Sequence, residues 1–181
     1  MNAEQLDNLR YPIGKFNAPL TIKREHLDEW IDDISEFPSK LTEALKDLPL
    51  ASQSWRYRPD GWNITQLVHH CSDSHMNSII RFKWTLTEDD PTIKPYEETL
   101  WAELPDANEA DLTNALNLLK SLHHKWTIIL KNLSDEDLVR TFLHPASGNT
   151  STLKRTIGMY AWHCNHHLAH LRLAIEAQGK Y

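Results

Sequence analysis

Two cysteines, Cys71 and Cys164, are too few to build a disulfide framework. Five glycines in 181 residues leave little of the turn chemistry that all-β folds need. No apolar stretch approaches the roughly 18–20 residues that cross a bilayer, so a membrane-spanning class is excluded. There is no basic run, and the net charge of −6 argues against a nucleic-acid surface. Met1 to Arg10 is polar and lacks the apolar core of a secretory signal. The expectation is a cytoplasmic protein. No repeat, low-complexity tract or long linker divides the chain, and the simplest reading of residues 1–181 is one domain.

What is abundant is histidine and tryptophan, eleven and seven residues. The densest stretch is Trp162-His163-Cys164-Asn165-His166-His167-Leu168-Ala169-His170. At about 100° per residue, His163, His166, His167 and His170 fall within an arc of roughly 100° on one helix face. Neutral imidazole is the commonest side-chain metal ligand. Two pairs stand one turn apart, His163/His167 and His166/His170, as the histidines of H-E-x-x-H do. The glutamate of that motif is missing, which excludes a zincin. Spacing alone does not choose between the pairs.

The periodicity predicts an all-α protein. Residues 1–22 read as irregular, broken by Pro12, Gly14 and Pro19. A first helix runs from about Lys23 to Leu48, kinked or divided at Pro38. Asn63, with Gln66 three residues on, forms a capping box that starts a second helix ending near Leu86. Residues 88–107 carry Pro91, Pro95 and Pro105 and read as a loop with at most a short turn. A third helix spans about Glu109 to Leu133, and a short helical piece begins at Ser134. The loop His144–Asn149 follows. A last helix runs from Ser151 or Thr152 to about Gln178, with Gly179 as its C′ residue. Four long helices and no credible strand pair predict a four-helix bundle, whose sites are built from facing helices.

The second helix offers the other wall of a site. With Ile64, Leu67, Val68 and Cys71 facing the core, His70, Ser74, Asn77 and Arg81 make a polar stripe beside it, while His69 falls on the opposite flank. Cys71 reads as a small core residue and Cys164 as rotated off the histidine face. His75, His123, His124 and His144 read as structural or solvated. Trp62 and Trp162 are candidates to line a pocket.

These residues resemble a known family. The run His69-His70-Cys71-Ser72-Asp73-Ser74-His75-Met76-Asn77-Ser78 is similar to the signature of the YfiT-type metal-dependent hydrolases of the DinB-like superfamily. Tyr11-Pro12-Ile13-Gly14, Gly61-Trp62, Arg81-Phe82-Lys83 and the stretch Trp162 to His170 fit the same family in the same order. The resemblance implies a DinB-like four-helix bundle in which three histidines hold a metal. Matched by position, they are His70, His166 and His170, with His69, His163 and His167 supporting or packing around them. It also implies zinc, with nickel as the alternative ion, and a cytoplasmic homodimer.

Three histidines leave coordination positions open, as in catalytic rather than structural zinc sites. An ion there can lower the pKa of water toward 7, which is the hydrolase reading. On that reading Asp73 or Asn77 orients the water and Arg81 receives an anionic group of a small-molecule substrate. A second reading replaces water with a low-molecular-weight thiol such as bacillithiol, because zinc stabilises thiolates, and makes the chain a thiol S-transferase. A third is a non-catalytic metal or small-molecule binding protein.

Overall fold

The computed structural model describes residues 1–146 and 148–181. Its frame is a bundle of four long helices: α2 (Arg24–Leu45), α3 (Ile64–Thr87), α5 (Thr113–Lys131) and α7 (Leu153–Ala177). Helix α2 packs against α5 and α7, and α3 packs against the same two. Shorter elements complete the chain: α1 (Ala3–Arg10), α4 (Glu98–Trp101), α6 (Asp135–Val139) and the strands β1 (Thr141–His144) and β2 (Asn149–Thr152). Ile34, Phe37, Leu41, Leu67, Phe82, Leu119, Trp126, Ile157 and Leu171 are among the fully buried side chains of the shared core. Among the described residues, no helix is long and apolar enough to cross a membrane.

The termini of the long helices follow the sequence. Asn63 caps α3: Gln66 N donates to Asn63 Oδ1 at 2.8 Å, and Asn63 N donates to Gln66 Oε1 at 3.2 Å. Gln66 Nε2 goes on to donate to the Ala102 carbonyl at 3.0 Å, which ties the start of α3 to the loop after α4. Thr152 caps α7, and the helix ends through left-handed Gln178 and Gly179. Pro38 lies inside α2 without dividing it. Its missing N–H leaves the Ile34 carbonyl without its usual partner one turn back. That carbonyl accepts instead from His123 Nδ1 of α5, at 2.6 Å.

Two expectations need correcting. Residues 1–22 are not wholly irregular, because Asn2 and Gln5 form a capping box that starts α1. No α1 residue is buried, so no apolar period marked the helix in the sequence. The loop after α3 has the short turn expected of it, in the single turn of helix α4, with a 3₁₀ turn at Asp106–Asn108. A strand pair exists: β1 and β2 are antiparallel, with Phe142 opposite Ser151 and Leu143 opposite Thr150. Strands of four residues are too short to show a period of two. The loop expected at His144–Asn149 includes Ser147, which lies outside the described residues. The hairpin buries Phe142 in the core, and Arg140 just before it donates from Nε to the Thr85 carbonyl and from Nη2 to the Glu88 carbonyl, closing the end of α3.

Candidate metal centre

Five histidines meet in one pocket of about 460 Å³ between α3 and α7: His70, His163, His166, His167 and His170. Arg10 and Tyr11 from the N-terminal segment, Tyr57, Arg58 and Trp62 from the approach to α3, Glu98 from α4 and Trp162 complete its wall. Trp62 and Trp162 are pocket residues, as the sequence suggested. Trp62 lies over His70, with ring centroids 4.4 Å apart, and Trp162 stacks on His166 at the same separation.

Within this pocket the rings fall into two groups. His70 joins His163 and His167, with Nε2 of His163 lying 3.3 Å from Nε2 of His70 and 3.2 Å from Nε2 of His167. His166 and His170 group with His167 instead. The three histidines implied by the family resemblance, His70, His166 and His170, therefore do not form one cluster. The reason is rotation. A step of three residues turns a side chain by about 60° around the helix. His163 and His167 thus face α3, while His166 and His170 turn toward the N-terminal segment. His170 Nε2 donates to the Arg10 carbonyl at 3.1 Å, and its ring stacks on Tyr57 with centroids 3.9 Å apart.

The donor set at His70, His163 and His167 suits a cation. Zinc–imidazole bonds of about 2.0–2.1 Å in a tetrahedral array put neighbouring nitrogens about 3.3–3.4 Å apart, close to the 3.3 and 3.2 Å that separate His163 from His70 and His167. All three rings are neutral at pH 7, as ligation requires. Burial lowers the pKa of His70 to about 4, with the charge of His166 adding to it. Burial first, then the surrounding histidines, hold His163 and His167 well below 6.5.

A second cavity of about 590 Å³ adjoins the first, and His163 and Glu98 line both. Its wall carries Ser74 and Arg81 of α3, Arg155, Thr156 and Tyr160 of α7, and Thr150 and Ser151 of the hairpin. Arg81 is buried and its Nε has no hydrogen-bond partner. Burial raises the pKa of Glu98, and the nearby Arg81 charge partly opposes the rise.

Two other expected residues stand apart. Asn77 Nδ2 donates to the Asp73 carbonyl one turn earlier at 2.9 Å, which engages its amide within α3. Asp73 lies in the field of Asp106 and His69, and its pKa rises to about 6, mainly by burial. Neither residue lines the two cavities. Cys71 and Cys164 are buried core thiols whose pKa burial raises. His69 approaches the Glu109 carbonyl on the other flank. Glu98 carried no signal in the sequence, because its loop has no periodicity that aims it anywhere.

A histidine pocket between the helices of a four-helix bundle is the architecture of a recognised class. Residues 33–171 match the model of the DinB superfamily, and the chain belongs to it. Within that superfamily it is of the YfiT type. YfiT from Bacillus subtilis, described as a probable metal-dependent hydrolase with an unusual four-helix bundle topology, superposes with a TM-score of 0.90 at 43% identity, over 93% of this chain and 97% of that one. Proteins from Bacillus cereus strain 03BB102 and Bacillus thuringiensis subsp. konkukian strain 97-27 are 49% identical over 166 residues, 92% of this chain and 95% of theirs. Both carry the name "putative metal-dependent hydrolase".

Proposed function

We propose that the chain is a metal-dependent hydrolase whose ion is held by Nε2 of His70, His163 and His167. The observation that carries this reading is the convergence of three neutral imidazoles in which His163 stands at tetrahedral-site spacing from each of the other two. It differs from the set His70, His166 and His170, because His70 lies with His163 and His167 while His166 and His170 group with His167 instead. Zinc is the ion of choice and nickel the alternative, since imidazole suits both. The names of the relatives support the metal and the hydrolytic class.

Bound there, such an ion lowers the pKa of water toward 7 and supplies a nucleophile at neutral pH. The chain's own residues do the rest. Glu98 sits where the two cavities meet, and burial raises its pKa, which favours a carboxylate that accepts a proton during the reaction. The buried, partly unpartnered guanidinium of Arg81 binds an anionic group of the substrate, and Arg155 adds positive charge to the same cavity. Tyr57, Trp62 and Trp162 shield the histidines from bulk water. Asp73 and Asn77 have no part in this scheme.

The same cavity favours one second reading. Two guanidiniums beside the histidines are what an anionic low-molecular-weight thiol would need, and the chain would then transfer that thiol. Calorimetric titration of the zinc-loaded protein with low-molecular-weight thiols and matched analogues lacking sulfur separates the two. It is paired with a screen of ester, amide and phosphoester hydrolysis. Hydrolysis lost in His163→Ala supports the first reading. Micromolar, thiol-dependent binding without hydrolysis replaces it with the second.

A further inference from the structure

Two buried histidines remain outside the scheme above. His75 of α3 and His123 of α5 are enclosed by Phe37, Trp126 and Tyr160. They are not isolated core residues. They link a backbone carbonyl to the proposed metal ligands in one line. His123 Nδ1 lies 2.6 Å from the Ile34 carbonyl oxygen. His75 Nδ1 lies 2.7 Å from His123 Nε2, and His163 Nδ1 lies 3.0 Å from His75 Nε2. Beyond His163, its Nε2 meets those of His70 and His167.

The carbonyl gives the line a direction. A carbonyl oxygen only accepts, so His123 carries its proton on Nδ1. A neutral imidazole has one donor nitrogen and one acceptor nitrogen, so His123 Nε2 is an acceptor. His75 Nδ1 must then donate to it, which leaves His75 Nε2 as the acceptor for His163 Nδ1–H. The bare nitrogen of His163 is thereby Nε2, the atom that faces His70 and His167. Neutrality of the line follows from its surroundings: His75 and His123 are buried among aromatic rings, where a charged imidazole would lose its hydration. The carbonyl that begins the line is the one Pro38 leaves without an N–H partner.

We infer that His123 and His75 are positioning residues that lock His163 into the tautomer protonated on Nδ1, so that its Nε2 lone pair is presented to a metal before any metal arrives. The inference rests on the proposal that His163 is a ligand. Metal-bound histidines commonly donate their other N–H to a carbonyl or carboxylate, which orients the ring and raises its basicity. Here that function is relayed through two further imidazoles, on α3 and α5, to a carbonyl on a fourth helix, α2. Chains of hydrogen bonds polarise one another, and the two relaying rings, His75 and His123, are buried, where such bonds are stronger than in water.

The first test is made on the wild-type protein freed of metal with a chelator. Long-range ¹⁵N–¹H correlation spectra at pH 7.5 distinguish protonated from bare ring nitrogens. The expected result is Nδ1–H with bare Nε2 for His123, His75 and His163 alike. A His163 or His75 protonated on Nε2 overturns the inference whether or not the protein binds metal. The second test is His123→Phe, which cuts the line two residues away from any proposed ligand. The Nε2–H form of His163 should then appear in the same spectra. Zinc affinity by competition with a chromophoric chelator should fall about 10- to 100-fold, the usual effect of removing an outer partner of a ligand. A folded His123→Phe protein with unchanged His163 tautomer or unchanged zinc affinity overturns the positioning role. In that case loss of zinc binding in His163→Ala would still uphold the metal centre itself, and its retention would defeat that reading separately.

Discussion

His70 and His163 stand 93 positions apart in the chain, yet their Nε2 atoms are 3.3 Å apart across the interface between α3 and α7. His167 adds a third nitrogen from one turn further along α7. The ligand assignment is therefore directly testable. His70→Ala, His163→Ala and His167→Ala should each remove stoichiometric zinc after dialysis, measured by elemental analysis. His166→Ala and His170→Ala should retain it, because neither groups with His70 and His163. Retention in His163→Ala with loss in His170→Ala would reverse the assignment.

Arg81 points to a separable effect on substrate. Arg81→Gln should leave metal content unchanged while raising KM for an anionic substrate by about 10- to 100-fold, the worth of a charge-assisted hydrogen bond in a buried setting. Steady-state kinetics on any active ester or phosphoester, compared with an uncharged analogue, provides the check. Equal losses on charged and uncharged substrates would remove Arg81 from anion recognition.

Acid should destabilise the metal-free protein in a defined window. Burial lowers the pKa of His123 to about 4 and that of His75 well below its ordinary 6.5. In the unfolded chain both titrate near 6.5. Between those values the unfolded chain holds more protons, so stability rises with pH across that range. Their contribution is intact above about pH 6.5 and is lost progressively as pH falls toward 4, at about 1.4 kcal/mol per histidine per pH unit. Thermal unfolding of chelator-treated protein should show Tm dropping from pH 7 to pH 4.5. A flat Tm over that interval would contradict the burial of neutral imidazoles.

Gly158 controls the approach of α7 to α2. A Cβ at this position would lie 2.7 Å from the Trp30 ring. Gly158→Ala should therefore cost about 1–3 kcal/mol, the usual penalty of overpacking, read from urea unfolding. Trp30→Leu in the same background should recover part of that loss, because it removes the ring the methyl meets. Additive losses in the double variant would show that the two residues do not compete for the same space.

Helix α3 depends on its start. Asn63→Ala removes the acceptor of the Gln66 N–H and should cost about 1 kcal/mol. Equilibrium unfolding measures the cost, and a change below a few tenths would mean that packing alone holds the helix end.

The sequence by itself determined the bundle and the chemical type of its site. Apolar residues recurring every three to four positions need one partner face each, so four such stretches specify four packed helices. Asn63 with Gln66, and Thr152 before α7, carried their caps in local order. The polar stripe of α3 correctly aimed His70 and Arg81 at the interior, because their spacing lies within one helix. The sequence did not show which histidine pair of α7 meets His70, because both pairs have the same spacing and sit about 60° apart on one face. Only the tertiary packing of α3 against α7 decided for His163 and His167. It likewise placed Glu98 between two cavities and joined His75 to His123 from different helices. It also gave the Ile34 carbonyl, freed by Pro38, its partner from α5. Each of these relations depends on the rotation and offset of one helix against another, which no local periodicity encodes.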